Sequence, residues 1–538
     1  MKYNNTNRSI YLPIIIAASL VIGLLAGIYL PRQVADNPAL AMKGRSSKIN
    51  DILRIIGENY VDTVNRNQLE EAAIPAILKK LDPHSIYIPA RDLKKANEPL
   101  QGNFDGIGIS FNLLTDTILV LSTIPGGPSE KAGLMAGDKI IFVNDSLVAG
   151  NNITDDKAMS MLKGPRGTMV RIKILRKGMK DLLAFEIKRD KIPIYSVDVA
   201  YMVDESTGYI KINAFALTTY DEFMKALREL KGMGMNKLIV DLRGNSGGIM
   251  EAAIRIANQF LKKGDLIVYT EGRAQPRNDA IATGSGEFEE GKLVVLIDEW
   301  SASASEILAG AVQDNDRATI IGRRSFGKGL VQEPVMFTDG SGLRLTIARY
   351  YTPTGRSIQK PYDQGTDKYY EEMQERMANG ELLKNDSIHY KNGKKYVTPG
   401  GRILYGGGGI TPDIFIPIDT TGTSMYFARV RINLIYRFAL DYTERNRTML
   451  QKFPNLTSLV SFLDGQALLD QFVTFAEKNG VKRDPRGIET SGRIIKIQIK
   501  AYIARNIFEN KGFYPVWEEL DTTLKKAIQY IEENQTVK

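Results

Sequence analysis

The sequence predicts a multidomain α/β protein, and three observations carry that prediction. Between Tyr209 and Val335, apolar runs that read as buried strands (Tyr209–Ile212, Lys237–Val240, Leu293–Ile297, Ala318–Ile321) alternate with helical patterns. Residues 104–190 instead alternate like strands, and residues 423–538 read mainly helical, with stripes such as Val430, Leu434, Ile435 and Phe438. At 538 residues the chain is long enough for about two to four domains with ample core.

The chain starts with a membrane-directed segment, 1–43. Residues 1–9 are polar with Lys2 and Arg8, and residues 10–30 (IYLPIIIAASLVIGLLAGIYL) carry no charge and are long enough to cross a bilayer as a helix. This reads as a signal peptide or a signal anchor. The apolar run exceeds a usual cleavable core, and the nearest A-x-A-like site, Ala39-Leu40-Ala41, lies about ten residues beyond it, so a retained anchor is the expectation. Positive charge ahead of the span puts the remaining chain across the membrane, on the periplasmic or extracytoplasmic face. With no cysteine, a lipid-anchored N-terminus, a thiol nucleophile, a thiolate metal site and a disulfide-built fold are all excluded. The net charge of +9 is spread among 62 acidic residues without a basic block interleaved with aromatics, which argues against nucleic acid as a partner.

Residues 44–103 form an N-terminal helical region with an apolar period (Ile49, Ile52, Leu53, Ile56; Leu69, Ala73, Ile77, Leu78, Leu81). His84, in Leu81-Asp82-Pro83-His84-Ser85, reads as a turn residue with a structural role. Residues 104–190 carry FDGIGISF and then ILVLSTIPGGPSEKAGLMAGDKIIFVNDSLV. The pattern P-x-x-A-G-L-x-x-G-D-x-I-x-x-V-N resembles a PDZ domain, a small β-sandwich or barrel with helices. Such a domain adds a peptide as an extra strand and captures its C-terminal carboxylate in backbone N–H groups. By that resemblance Gly106, Ile107, Gly108 and Ile109 form the carboxylate loop, and the helix 154–163 forms the other wall of the groove. Lys163 then becomes a cation that links this domain to the core.

The core, 191–422, carries the chemistry. Asp241-Leu242-Arg243-Gly244-Asn245-Ser246-Gly247-Gly248 lies between the strand at Lys237 and a helix expected from Met250 to Leu261, and its glycine pair suits exposed backbone donors. Ser301-Ala302-Ser303-Ala304-Ser305-Glu306 follows the strand Leu293–Ile297 and opens a helix, whose positive end helps stabilise a developing oxyanion. Neither histidine, His84 nor His389, sits in a strand-end setting that suits the base of a serine triad, so a lysine is the base to look for. Lys328, between two glycines and followed by a strand pattern, is the candidate. Gly322–Lys328 also fits G-x-x-x-x-G-K. However, position 329 is glycine and a strand follows where a phosphate loop needs a helix, so it is not a nucleotide site.

These motifs resemble the C-terminal processing (tail-specific) peptidases, which pair a PDZ domain with a serine-lysine core of crotonase/Clp-like α/β fold. The resemblance covers roughly residues 45–418 and includes Thr352-Pro353-Thr354-Gly355-Arg356-Ser357 and GGGGITPDIFIP (406–417). It implies Ser303 as nucleophile, Lys328 as base 25 residues later, and Gln332 holding the lysine amine. It further implies an oxyanion hole from Gly247 and Ala304, with Gly248 the close second to Gly247. Ser246 competes as a nucleophile on local chemistry alone. A depressed lysine pKa is expected from Phe326 and Leu330 beside Lys328 and from the cations Arg323 and Arg324 upstream.

The resemblance implies no metal and no cofactor, and protein or peptide substrates with accessible C-termini. The polar segment 361–405 reads as a long insertion. The helices of 423–538 read as core, with a homo-oligomer or adaptor contact as the family's further use of such extensions. Two other readings remain: a catalytically idle PDZ scaffold at the membrane, and a crotonase-like acyl-CoA enzyme, which needs neither a PDZ domain nor an export segment.

Overall fold

The computed structural model describes residues 47–113, 116–384 and 394–533, together with Ala17 and Val21. The expected membrane segment 10–30 lies outside these apart from those two residues, as does His389. Among the described residues no helix is long and apolar enough to cross a membrane. The chain divides into two units, Met1–Leu78 and Lys79–Lys538. In the first, the helices Lys48–Asn59 and Arg66–Leu78 are described; Ser47 caps the former by accepting the Ile49 N–H at 3.3 Å. The rest of the expected region 44–103, including the His84 turn, belongs to the second unit.

The second unit is built on a six-stranded sheet in the order Val197–Met202, Thr207–Ile212, Lys237–Asp241, Lys292–Ile297, Thr319–Gly322, Ile414–Phe415. All neighbours are parallel except the first pair. Side-chain alternation sends Leu238, Val240, Val295 and Ile320 to one face, under the helices Thr219–Gly232, Met250–Ala257 and Ala304–Asp314. Ile239, Val294, Leu296 and Ile321 go to the other face, where Leu524, Ala527 and Ile531 of the helix Thr522–Glu533 cover them. A parallel sheet must be covered on both faces, and the last helix of the chain supplies part of the second cover. Burying Leu524 and Ile531 stabilises this by about 1.5–3 kcal/mol each.

The expected helix Met250–Leu261 stops at Ala257. Beyond it Gln259 N–H donates to Ile256 O and Phe260 N–H to Ala257 O, a tightened turn that buries Phe260 and Leu261 in the core. A second, antiparallel sheet (Ile86–Ile88, Gly342–Tyr351, Leu266–Glu271, Asn278–Ile281) has Leu330–Met336 on the other edge of Gly342–Tyr351.

In the PDZ region the strands Ile109–Leu113, Ile118–Thr123, Lys139–Val143, Met169–Leu175 and Leu183–Lys188 form one antiparallel sheet. The helix Asp155–Leu162 runs between Thr154, which caps it, and Lys163. A two-stranded stem, Asn103–Gly106 paired with Asp190–Pro193, leads the chain in and out and straddles the expected limits 104–190. The described part of the region 423–538 is helical from Met425 to Glu533, with Tyr426, Ile435, Phe472, Ile495 and Ile499 in a core of its own.

Candidate active site

The loops that follow three parallel strands converge at their C-terminal ends, where α/β sheets place their sites. Lys237–Asp241 leads to Asn245–Gly248, Lys292–Ile297 to Ser301–Ser303, and Thr319–Gly322 to Arg323–Lys328. Ser303 is the N-cap of the helix Ala304–Asp314 and holds φ 55°, ψ −114°. A non-glycine residue in that region costs about 1–3 kcal/mol and persists only where its surroundings enforce it.

Two groups enforce it and tie the serine turn to the lysine loop. Glu306 Oε2 accepts the N–H of Ser303 at 2.8 Å and that of Lys328 at 2.9 Å. Its Oε1 accepts Gly327 N–H at 2.7 Å and the Ser325 hydroxyl at 2.5 Å. From the opposite side the Tyr350 hydroxyl shares its one hydrogen between the carbonyls of Ser303 (3.1 Å) and Lys328. Gln359 Oε1 accepts Gly329 N–H at 2.8 Å, and Lys360 N–H donates to Gly327 O at 2.9 Å, so the lysine loop is held along its length.

Burial lowers the pKa of the Lys328 amine; Glu306 and Asp82 oppose the shift, and Arg344 adds to it. The cations expected to help are committed elsewhere. Arg323 pairs with Glu299 at 2.6 Å and Arg324 with Glu381 at 2.7 Å, so Arg344, from a different strand, takes that part. Among the described residues the Lys328 amine has no hydrogen-bond partner and no carboxylate within ion-pair distance.

Among the described residues Gln332 makes no hydrogen bond to the lysine amine. It stands directly across from Thr346 in the ladder, and its amide donates to Thr346 Oγ1 at 3.3 Å. Thr346 in turn donates to Asp82 Oδ1 at 3.1 Å, and Asp82 also accepts His84 N–H, Ser85 N–H and the Ser85 hydroxyl. The Asp82–Ser85 turn is thus a prop under this strand. His84 Nε2 lies 2.8 Å from the Tyr369 hydroxyl, and burial, then nearby Lys328, pushes its pKa down to about 4. Tyr369 belongs to the helix Thr366–Ala378, so this helix supplies a packed wall here.

The glycine pair needs one correction. Gly247 N–H already donates to Asn245 Oδ1 at 2.9 Å, so it is not a free donor. Gly248, at φ 140°, and Ala304, at the first turn of its helix, have N–H groups that donate to no acceptor among the described residues. A Cβ on Gly247 would stand 2.7 Å from Ser303 Cβ, which shows how closely this loop lies on the serine. Ser246 is exposed and, among the described residues, has no base in hydrogen-bond contact.

Asn245 is a residue that sequence reasoning missed. Its amide donates to Ile212 O, and its carbonyl accepts Ala302 N–H and the Ser305 hydroxyl, pinning both loops. Arg243, two residues earlier, bridges Asp241 and Asp521, so the C-terminal extension grips the glycine loop as well.

In the PDZ region Ile107, Gly108 and Ile109, with Phe111, Met159 and Leu162, line a cavity of about 330 Å³, and Gly106, the last residue of the strand Asn103–Gly106, is not part of that lining. Gly108 takes φ 75°, open to glycine. Lys163 pairs with Glu98 at 2.5 Å and sits 4.3 Å over the Phe104 ring, which ties the groove to the helix Ala90–Gln101.

Comparison with known proteins gives three family matches: peptidase family S41 over residues 206–367, the PDZ domain over 97–175, and a family of unknown function over 425–509. The chain is 36% identical over 353 residues to a carboxy-terminal-processing protease of Bartonella bacilliformis, covering 63% of this chain and 80% of that one. It is 35% identical over 350 residues to carboxy-terminal processing protease CtpB of Bacillus subtilis, covering 63% and 72%. Among solved structures, the photosystem II D1 C-terminal processing protease is 26% identical, with 69% of this chain and 88% of that one covered and a TM-score of 0.35.

Proposed function

Because this chain belongs to peptidase family S41, among the carboxy-terminal processing proteases, we propose that it cleaves protein or peptide substrates with a Ser303–Lys328 dyad outside the cytoplasm. One observation carries the dyad: a single Glu306 oxygen holds the backbones of both residues, and the Lys328 amine is buried without a counter-ion in contact. A neutral lysine takes the Ser303 proton, and the serine oxygen attacks the scissile carbonyl. The Gly248 and Ala304 amides receive the oxyanion, and water releases the acyl-enzyme. Gln332, four residues further on in the strand Leu330–Met336, orders the amine once substrate is bound. The PDZ groove takes the substrate's C-terminus by its carboxylate.

A peptide aldehyde tests the site directly. It is expected to add to Ser303 as a reversible hemiacetal, seen in the structure of the adduct. In the adduct structure the oxyanion should lie within about 3 Å of the Gly248 and Ala304 nitrogens. Addition at Ser246 would overturn the assignment. Amidating a substrate's C-terminus is expected to slow cleavage by weakening docking, and equal rates for free and amidated tails would remove the PDZ groove from the reaction.

The location is inferred from residues 1–30 of the sequence. An anchored enzyme stays with membranes through a high-salt wash, and a soluble form beginning near Met42 would replace the anchor with a cleaved signal.

A further inference from the structure

Glu306 is fully buried, and four donors converge on its two oxygens: the N–H groups of Ser303, Gly327 and Lys328 and the Ser325 hydroxyl. The Ser325 oxygen itself accepts Ile410 N–H at 2.6 Å, which leaves its hydrogen pointing at the carboxylate. A proton on either Glu306 oxygen would therefore meet a donor. The pocket is shaped for the anion, even though burial pushes the carboxyl up to about 7.

We propose that Glu306 is a positioning residue for the reaction: its carboxylate holds Ser303 and Lys328 in register and supplies the buried counter-charge for the ammonium that Lys328 becomes. This rests on the serine-lysine reading above. When the Ser303 O–H bond breaks, its proton and positive charge go to the Lys328 nitrogen, while the new C–O bond moves the carbonyl electron pair onto the oxyanion. The charge that appears on Lys328 is the one that an anion below it stabilises, without touching the amine or the substrate. The other charged or titratable groups that act on Lys328 come from different elements: Arg344 from the strand Gly342–Tyr351, and Asp82 from the turn before Ile86. His84 lies on the same side, and Tyr350 and Tyr369 face Glu306.

Glu306→Gln and Glu306→Asp in the full chain test this, read by the pH dependence of kcat and KM. A second readout is the pH dependence of Lys328 acylation by a trace amine reagent, mapped by mass. In Glu306→Gln the acid limb of kcat and the Lys328 acylation midpoint are expected to move together to lower pH, by about one pH unit or more, because an opposing charge has been removed. The kcat is expected to fall about tenfold or more with KM little changed, since the lost stabilisation belongs to the transition state. Glu306→Asp keeps the charge but withdraws it from its donors, so it is expected to keep the midpoint while kcat falls.

Midpoints that stay in place in a folded Glu306→Gln, where only activity drops, would reduce Glu306 to packing. If Glu306→Gln does not fold, a shifted midpoint or an undiminished kcat in Glu306→Asp overturns the proposal instead. Cleavage by Lys328→Arg would overturn the dyad itself. An unmoved midpoint beside an inactive Lys328→Arg overturns only the role of Glu306.

Discussion

Lys328→Arg is expected to lose cleavage as completely as Lys328→Ala, by about 10⁴-fold or more in kcat, while the chain remains folded. A lysine in water has a pKa of about 10.4, so almost none is neutral near pH 7. Burial lowers that of Lys328, and the fraction able to accept the Ser303 proton rises accordingly. Because the folded pKa is depressed, activity is expected to rise with pH through it, as the ammonium gives way to the amine. Arginine keeps its proton throughout this range, so it preserves the charge and removes the base. His84 should contribute no limb near pH 6.5, since it is already neutral well below it. Parent-like cleavage by Lys328→Arg, measured on a peptide with a free C-terminus, would end the assignment.

Asp314→Ala is expected to cost about 3–5 kcal/mol of stability in the catalytic core, because it strands a buried guanidinium. Arg356 and Asp314 are both 0% exposed and lie 2.6 Å apart. Asp314 also accepts the Thr354 hydroxyl at 2.6 Å, so it shapes the whole Thr352–Arg356 turn. That turn leads directly to Gln359 and Lys360, which hold the lysine loop through Gly329 and Gly327. Cleavage should therefore weaken along with stability. Trp300, 51% exposed, stands in the loop after the strand Lys292–Ile297, and the chain has two tryptophans, so its fluorescence in a Trp517→Phe background reports on the catalytic domain. An unfolding midpoint unchanged by Asp314→Ala would show that the pair adds nothing net.

Several features of the site were legible from local pattern. A strand run, a serine at the next turn and a helix behind it are neighbours in the chain, so Ser303 and its helix could be read without knowing the fold. Lys328 followed from the absence of cysteine and the setting of the two histidines, aided by the family's spacing. Glu306 was in plain sight three residues after Ser303, the position from which a helix's third residue reaches back to its cap. Its bonds to Ser325, Gly327 and Lys328 were not, since they depend on a loop about 20 residues away being brought onto the helix start.

The inventory of chemistry was thus determined by the sequence itself: a serine at a helix N-terminus, a lysine between glycines, a glycine pair after a buried strand, and a PDZ-like run of alternating strands. Those are consequences of residue type and of periods of 2 and 3.6 along the chain. Partnership was decided only by the tertiary structure. It gave Arg323 and Arg324 to Glu299 and Glu381, leaving Arg344 to act on Lys328. It spent the Gly247 amide on Asn245 and turned Gln332 toward Thr346. It also laid the last helix, Thr522–Glu533, over the second face of the central sheet and brought Asp521 onto Arg243. A hydrogen bond or ion pair forms with whichever complementary group the fold delivers within about 3 Å, and residues adjacent in sequence hold no priority in that competition.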